Sequence, residues 1–166
     1  NPEVLRKAEK ELAFVEKNNI QTLFYTQLHY PSRLTNCVDA PVLLYAKGNT
    51  GFNAPKVVSI IGTRNATRYG LEFCQKFVWE LSGLFPDILV VSGLAYGIDI
   101  CAHRAAIANK LPTIAILAHG LNTIYPAQHR NSAIEIIKHD GMLITEYTSQ
   151  DTIHRANFLA RNRIVA

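Results

Sequence analysis

A mostly parallel, doubly wound sheet of the Rossmann-like α/β kind, with an N-terminal helical extension, is the fold class this sequence predicts. Three observations predict it. The short runs Val57-Val58-Ser59-Ile60-Ile61, Ile88-Leu89-Val90-Val91 and Thr113-Ile114-Ala115-Ile116-Leu117 have the unbroken, β-branched character of strands buried on both faces. Helical patterns separate them, and strand–helix alternation favours parallel pairing through right-handed crossovers. The 166 residues are 48% apolar and 18% charged, a globular composition long enough for one self-sufficient core.

Along the chain, residues 3–18 place Leu5, Ala8, Leu12 and Val15 at helical spacing with Glu and Lys between them. That predicts an amphipathic helix beside the main domain. Residues 19–50 read as irregular, with Pro31 and Pro41 as breakers and one strand-like run, Val42-Leu43-Leu44-Tyr45-Ala46, ended by Lys47-Gly48-Asn49. Residues 1–28 are therefore assigned to the helical extension and 29–166 to the Rossmann-like domain. Within the latter, Leu71, Cys74, Phe77, Val78, Leu81 and Leu84 mark a helix beginning near Gly70. An alanine-rich helix follows over 98–109. Another is expected over 128–139, with Ile134 and Ile137 inward and Gly141 just past its end, before a strand at 142–145.

No run approaches the roughly 20 apolar residues of a membrane helix, and the charged first eleven residues do not read as a secretory signal. A soluble, cytoplasmic protein is expected, and the missing initiator Met implies that the native start lies elsewhere. Cys37, Cys74 and Cys101 are odd in number without metal-type spacing, which reads as reduced core thiols. A net charge of +4 permits a polyanionic partner without proving one.

Ligands of such sheets bind outside the carboxyl ends of the strands, and the unusual residues cluster there. Gly62-Thr63-Arg64-Asn65-Ala66-Thr67-Arg68-Tyr69-Gly70 has two arginines, no acid and a helix N-terminus behind it, an anion cradle unless the arginines are merely solvated. It is neither GxGxxG nor a P-loop. Ser92-Gly93-Leu94-Ala95-Tyr96-Gly97-Ile98-Asp99 allows close backbone approach beside a hydroxyl. Asp99 and His103, four apart, could serve a metal or an acid–base pair, but Asp99 reads better as a helix N-cap and two ligands are too few for a metal. In the third strand-end loop Tyr125 reads as packing, and His119 could reach a ligand. The tail, residues 147–166, sets His154, Arg155, Arg161 and Arg163 around Phe158 against one acid, Asp151. A basic track with an aromatic platform suits single-stranded nucleic acid, the alternative being a core Phe158 with solvated arginines.

Four ordered motifs carry a resemblance. Gly62-Thr63-Arg64 with Tyr69-Gly70, Ser92 to Asp99 with Ala102-His103, Gly120-Leu121-Asn122-Thr123-Ile124-Tyr125-Pro126, and Phe158-Leu159-Ala160-Arg161-Asn162-Arg163-Ile164 resemble the DNA processing protein A (DprA/Smf) family in order and spacing. Tyr30-Pro31-Ser32-Arg33-Leu34 and Pro41 to Gly48 resemble its lead-in. Thr63, Ala118, Asn122 and Leu159 depart from the family text. The resemblance implies a non-enzymatic protein, with no cofactor, metal or catalytic residue, that binds and protects single-stranded DNA and helps load RecA recombinase during natural transformation. It also implies a domain truncated at its C-terminal end and a homodimer in the full-length protein. Phosphate binding falls to Gly62, Thr63, Arg64, Thr67, Ser92 and Gly93; backbone and base contacts fall to Arg155, Asn157, Phe158, Arg161, Asn162 and Arg163. The alternative is a nucleoside-monophosphate enzyme of the lysine decarboxylase-like phosphoribohydrolase type, using Asp99 or Glu146, although that type's Pro-Gly-Gly-x-Gly-Thr loop is missing.

Overall fold

The computed structural model describes residues 1–49 and 51–166; Thr50, the last residue of the stretch read as irregular, lies outside them. Asn1 caps α1 (Pro2–Lys17), its side chain accepting the Glu3 N–H at 3.0 Å. The helix is where the pattern placed it, yet Leu5 and Leu12 are exposed and its buried positions are Glu11 and Val15. The apolar spacing was real, but the contact strip is narrow and centres on an acid.

β1 (Gln21–Phe24) and β2 (Leu43–Gly48) pair antiparallel, so the sheet takes a strand from a stretch that the sequence pattern left irregular. Alternation then follows as expected: β3 (Val57–Ser59), α2 (Arg68–Leu84), β4 (Leu89–Ser92), α3 (Ile98–Ala108), β5 (Thr113–Ile116), α4 (Arg130–Lys138), β6 (Met142–Thr145) and α5 (Arg155–Val165). The strand order is β1-β2-β6-β5-β4-β3. β3 to β6 run parallel, and β2 joins β6 antiparallel. This is the mostly parallel α/β sheet that the sequence predicts.

Three crossovers that step the same way with the same hand place α2, α3 and α4 on one face. There Cys74, Val78, Ala102 and Ala106 pack on Val90, while Ala133 and Ile136 pack on Ala115, Leu117 and Leu143. The opposite face, Leu89, Val91, Ile114, Ile116 and Ile144, is covered by Tyr30 and by Ile164 and Val165 of α5. β4, β5 and β6 are buried throughout, which is why their sequences carry no polar alternation. In α4 Ile136 is fully buried and Ile137 packs partly buried against the same cluster, as expected of Ile137, whereas Ile134 is 43% exposed, so the expected inward face was wrong at that position. Cys74 and Cys101 are buried free thiols, whereas Cys37 is exposed and belongs to no core.

Candidate nucleic-acid interface

The loops leaving β3, β4, β5 and β6 share the carboxyl-end rim of the sheet. Thr67 caps α2, its Oγ1 accepting the Gly70 N–H at 3.1 Å, so the helix starts at Arg68, slightly before the expected Gly70. The first two loops touch. Ile98 N–H donates to the Thr63 carbonyl at 3.2 Å, and Gly97 has φ +75°, where a Cβ would stand 2.1 Å from that same oxygen.

Asp99 lies beneath both loops, 4% exposed. It is not the N-cap; Gly97 holds that position. Burial raises its pKa, and Arg161 together with the backbone N–H groups of Gly62, Ala95 and Gly93 pulls in the opposite direction. The glycine loops thus already face an internal carboxyl group. Ser92 is buried as well, its hydroxyl donating to the Ile60 carbonyl at 2.6 Å rather than lying open beside the loop. His103 is fully buried and its Nδ1 stands 2.7 Å from Thr113 Oγ1, so it faces the sheet.

The tail that carries the arginines is helical, which spacing alone did not reveal. Its three arginines go different ways. Arg161 is 4% exposed, and its Nη1 donates to the Gly93 carbonyl at 2.7 Å and to the Ile116 carbonyl. It closes the ends of β4 and β5 from inside, and buried Gly93 leaves it room, since a Cβ there would meet its Nη1 at 2.2 Å. Arg163 makes a bidentate pair with Glu146 at 2.7 and 2.6 Å and stands 3.1 Å from Asp39. Arg155 is exposed, as are Asn162, Gly62, Thr63, Arg64 and Thr67; Asn157 is half-buried.

Arg64 is the arginine that meets Phe158: its guanidinium carbon stands 5.4 Å from the ring centroid. Tyr125 meets the same ring edge-on, centroids 5.5 Å apart at 61°, while remaining 48% exposed. Tyr125 is therefore part of the rim, which its reading as packing missed, although its place at a strand end was a signal. His119 sets the Tyr125 loop. Its Nδ1 donates to the Gly120 carbonyl at 2.9 Å and its Nε2 accepts the Tyr125 N–H at 3.1 Å, so both ring nitrogens are engaged and His119, 1% exposed, does not reach the surface. Among the described residues no group of three or more His, Cys, Asp or Glu side chains could hold a metal, and no helix is long and apolar enough to cross a membrane.

Fold and site together define a Rossmann-like α/β protein whose strand-end rim offers a cation and aromatic faces to solvent. The family model for DNA recombination-mediator protein A matches residues 21–166, and the chain belongs to that family. It is 36% identical over 137 residues to DNA processing protein DprA of Streptococcus pneumoniae, covering 82% of this chain and 47% of that one. To DprA of Bacillus subtilis it is 33% identical over 161 residues, covering 96% and 53%. The X-ray structure of the S. pneumoniae protein superposes with a TM-score of 0.78 at 31% identity, over 99% of this chain and 58% of that one. A Helicobacter pylori DNA processing protein A, described for its single-stranded DNA binding mode, superposes at 0.73 with 31% identity, over 88% and 64%. The chain thus spans about half the length of these curated relatives. The resemblance drawn from the four motifs holds.

Proposed function

We propose that residues 29–166 bind single-stranded DNA on the strand-end rim, without catalysis, and that residues 1–28 extend this domain. The observation that carries this reading is Arg64 standing over Phe158 with Tyr125 edge-on. A guanidinium supplies phosphate contact, and the neighbouring rings supply platforms that accept any base. The contacts with DNA are assigned to Gly62, Thr63, Arg64, Thr67, Arg155, Asn157, Phe158 and Asn162, all exposed or half-buried, with Ser92, Gly93 and Arg161 supporting them from beneath and Arg163 from the side. This binding is further proposed to serve the protection of incoming DNA and the loading of RecA recombinase during natural transformation, in the cytoplasm and as a homodimer. The family's description as a recombination mediator supports that role.

Neither carboxylate of the enzymatic alternative is free at the rim: Asp99 is buried under the loops, and Glu146 is paired with Arg163. Fluorescence anisotropy with single- and double-stranded oligonucleotides over a salt series tests the proposal. Expected is preference for the single strand, with affinity falling at a log–log slope of about 0.7 per neutralised phosphate. Equal affinity for duplex, or none for either at low salt, overturns it. For the recombinase role, the measurement is the rate of RecA filament growth on protein-coated single strands, expected to rise with the protein present.

A further inference from the structure

The helix that precedes the matched family segment reaches the DNA-facing rim through one buried acid. Asn1 and residues 2–10 of α1 are all exposed. Val15, with Phe14 partly buried beside it, gives the helix a small apolar foothold near Ile20 and Tyr45. The rest of the attachment is polar. Glu11, 7% exposed, accepts the Ser149 N–H through both oxygens, at 2.9 and 3.0 Å, and the Ser149 hydroxyl at 2.6 Å. One turn earlier, the Lys7 carbonyl accepts from Gln150 Nε2 at 2.9 Å.

Ser149 and Gln150 belong to the segment between β6 and α5. That segment is closed on itself: Asp151 Oδ2 accepts the Thr148 N–H at 2.7 Å and the Thr148 hydroxyl at 2.9 Å, and the Asp151 N–H returns to the Thr148 carbonyl at 3.2 Å. A turn so closed moves as a body, and among the described residues the side chain that hydrogen-bonds this body from outside is Glu11. Three residues separate the turn from α5, which begins with Arg155, Asn157 and Phe158 in its first turn.

We infer that Glu11 is a positioning residue for the aromatic platform: α1 braces the turn at 148–151 and thereby sets where the first turn of α5 presents Phe158. The inference rests on the proposed single-strand binding for its functional consequence, though not for its structural one. It yields a sign that charge alone cannot give. Removing an acid from a protein that binds a polyanion strengthens binding electrostatically. Removing a brace weakens it.

The experiment compares parent, Glu11→Gln, Glu11→Asp and Phe158→Ala with a labelled oligothymidylate over a salt series, alongside amide hydrogen exchange without DNA. Glu11→Gln keeps shape but loses the charge-assisted bonds, so affinity is expected to fall about tenfold with the salt slope unchanged, because no phosphate contact is lost. Glu11→Asp, which retains a carboxylate, should recover part of the loss. In the Phe158→Ala background Glu11→Gln should have little further effect, since the two act through one platform. Exchange at 148–158 should quicken about tenfold in Glu11→Gln while the central strands keep their protection. Unchanged or tighter binding by Glu11→Gln, or its full effect persisting without Phe158, overturns the inference. So does unchanged exchange, which decides the brace even if the parent fails to bind DNA and the proposed function falls.

Discussion

Arg64 and Arg161 carry the same guanidinium and do opposite work. Arg64 is exposed with a ring beneath it, whereas Arg161 is buried with two carbonyls at its tip and Asp99 nearby. Arg64→Ala should therefore weaken single-strand binding and reduce the salt slope by about 0.7, with thermal stability unchanged. Phe158→Ala should cost about 1–3 kcal/mol of binding and leave the slope intact, because stacking releases no counterions. Both are read in one anisotropy series. Arg161→Ala is expected to act on folding instead. It strands the Gly93 and Ile116 carbonyls and the Asp99 carboxylate in a dry site, at a cost of about 3 kcal/mol. Calorimetry should show a Tm lower by about 6–12 °C for a chain of this size. The sequence named these residues together but could not divide their labour, because the exposure of Phe158 and Arg161 is decided by which side of α5 faces the strand ends.

The elements divide in the same way between those legible in the sequence and those hidden. β4, β5 and β6 were legible because strands buried on both faces need apolar residues at every position. β1 was not: Gln21-Thr22-Leu23-Phe24 pairs on one edge only and buries little besides Leu23. α5 escaped notice for a different reason. Periodicity searches for apolar residues on the inward stripe, and α5 puts Arg161 there; α1 likewise puts Glu11 in its inward slot. α1 was legible all the same, because its other apolar residues keep helical spacing, whereas α5 hides behind a charged residue in a buried position. The contact between the first two loops was partly legible, since its glycines were visible, but not which of them is obligatory. Gly97 is: Gly97→Ala would strain a positive φ and drive a methyl into the Thr63 carbonyl. Stability should fall by more than about 1 kcal/mol in a denaturant titration, and single-strand affinity should fall with it as Arg64 is displaced from Phe158.

For the molecule as a whole, buried titratable groups set a pH window. His103 is fully buried, with Nδ1 donating to Thr113 Oγ1, whose own proton goes to the Val90 carbonyl; burial lowers its pKa to about 3. His119 is lowered in the same direction by the same cause. Below about pH 6.5 the unfolded chain takes up protons that these histidines refuse, so stability should fall with pH, down to about pH 3 for His103 and by up to about 1.4 kcal/mol per pH unit, with His119 adding in the same direction; the raised pKa of Asp99 works in the opposite sense at the acid end. At the alkaline end burial raises Tyr30 to about 12, so stability present below pH 10 should be lost as the pH climbs through 12. Urea midpoints across pH should show a plateau between these limits, and His103→Gln should flatten the acid limb. The attachment of α5 has a consequence of another kind. Phe158 precedes Arg161 by three residues, and Arg161 is pinned to two adjacent strands, so the helix works as a ruler whose far end is fixed to the sheet while the turn at 148–151 holds the end nearer the ring. Inserting a single alanine between them would swing the ring through about 100° and lift it about 1.5 Å, leaving Arg64 and Tyr125 in place with no ring between them.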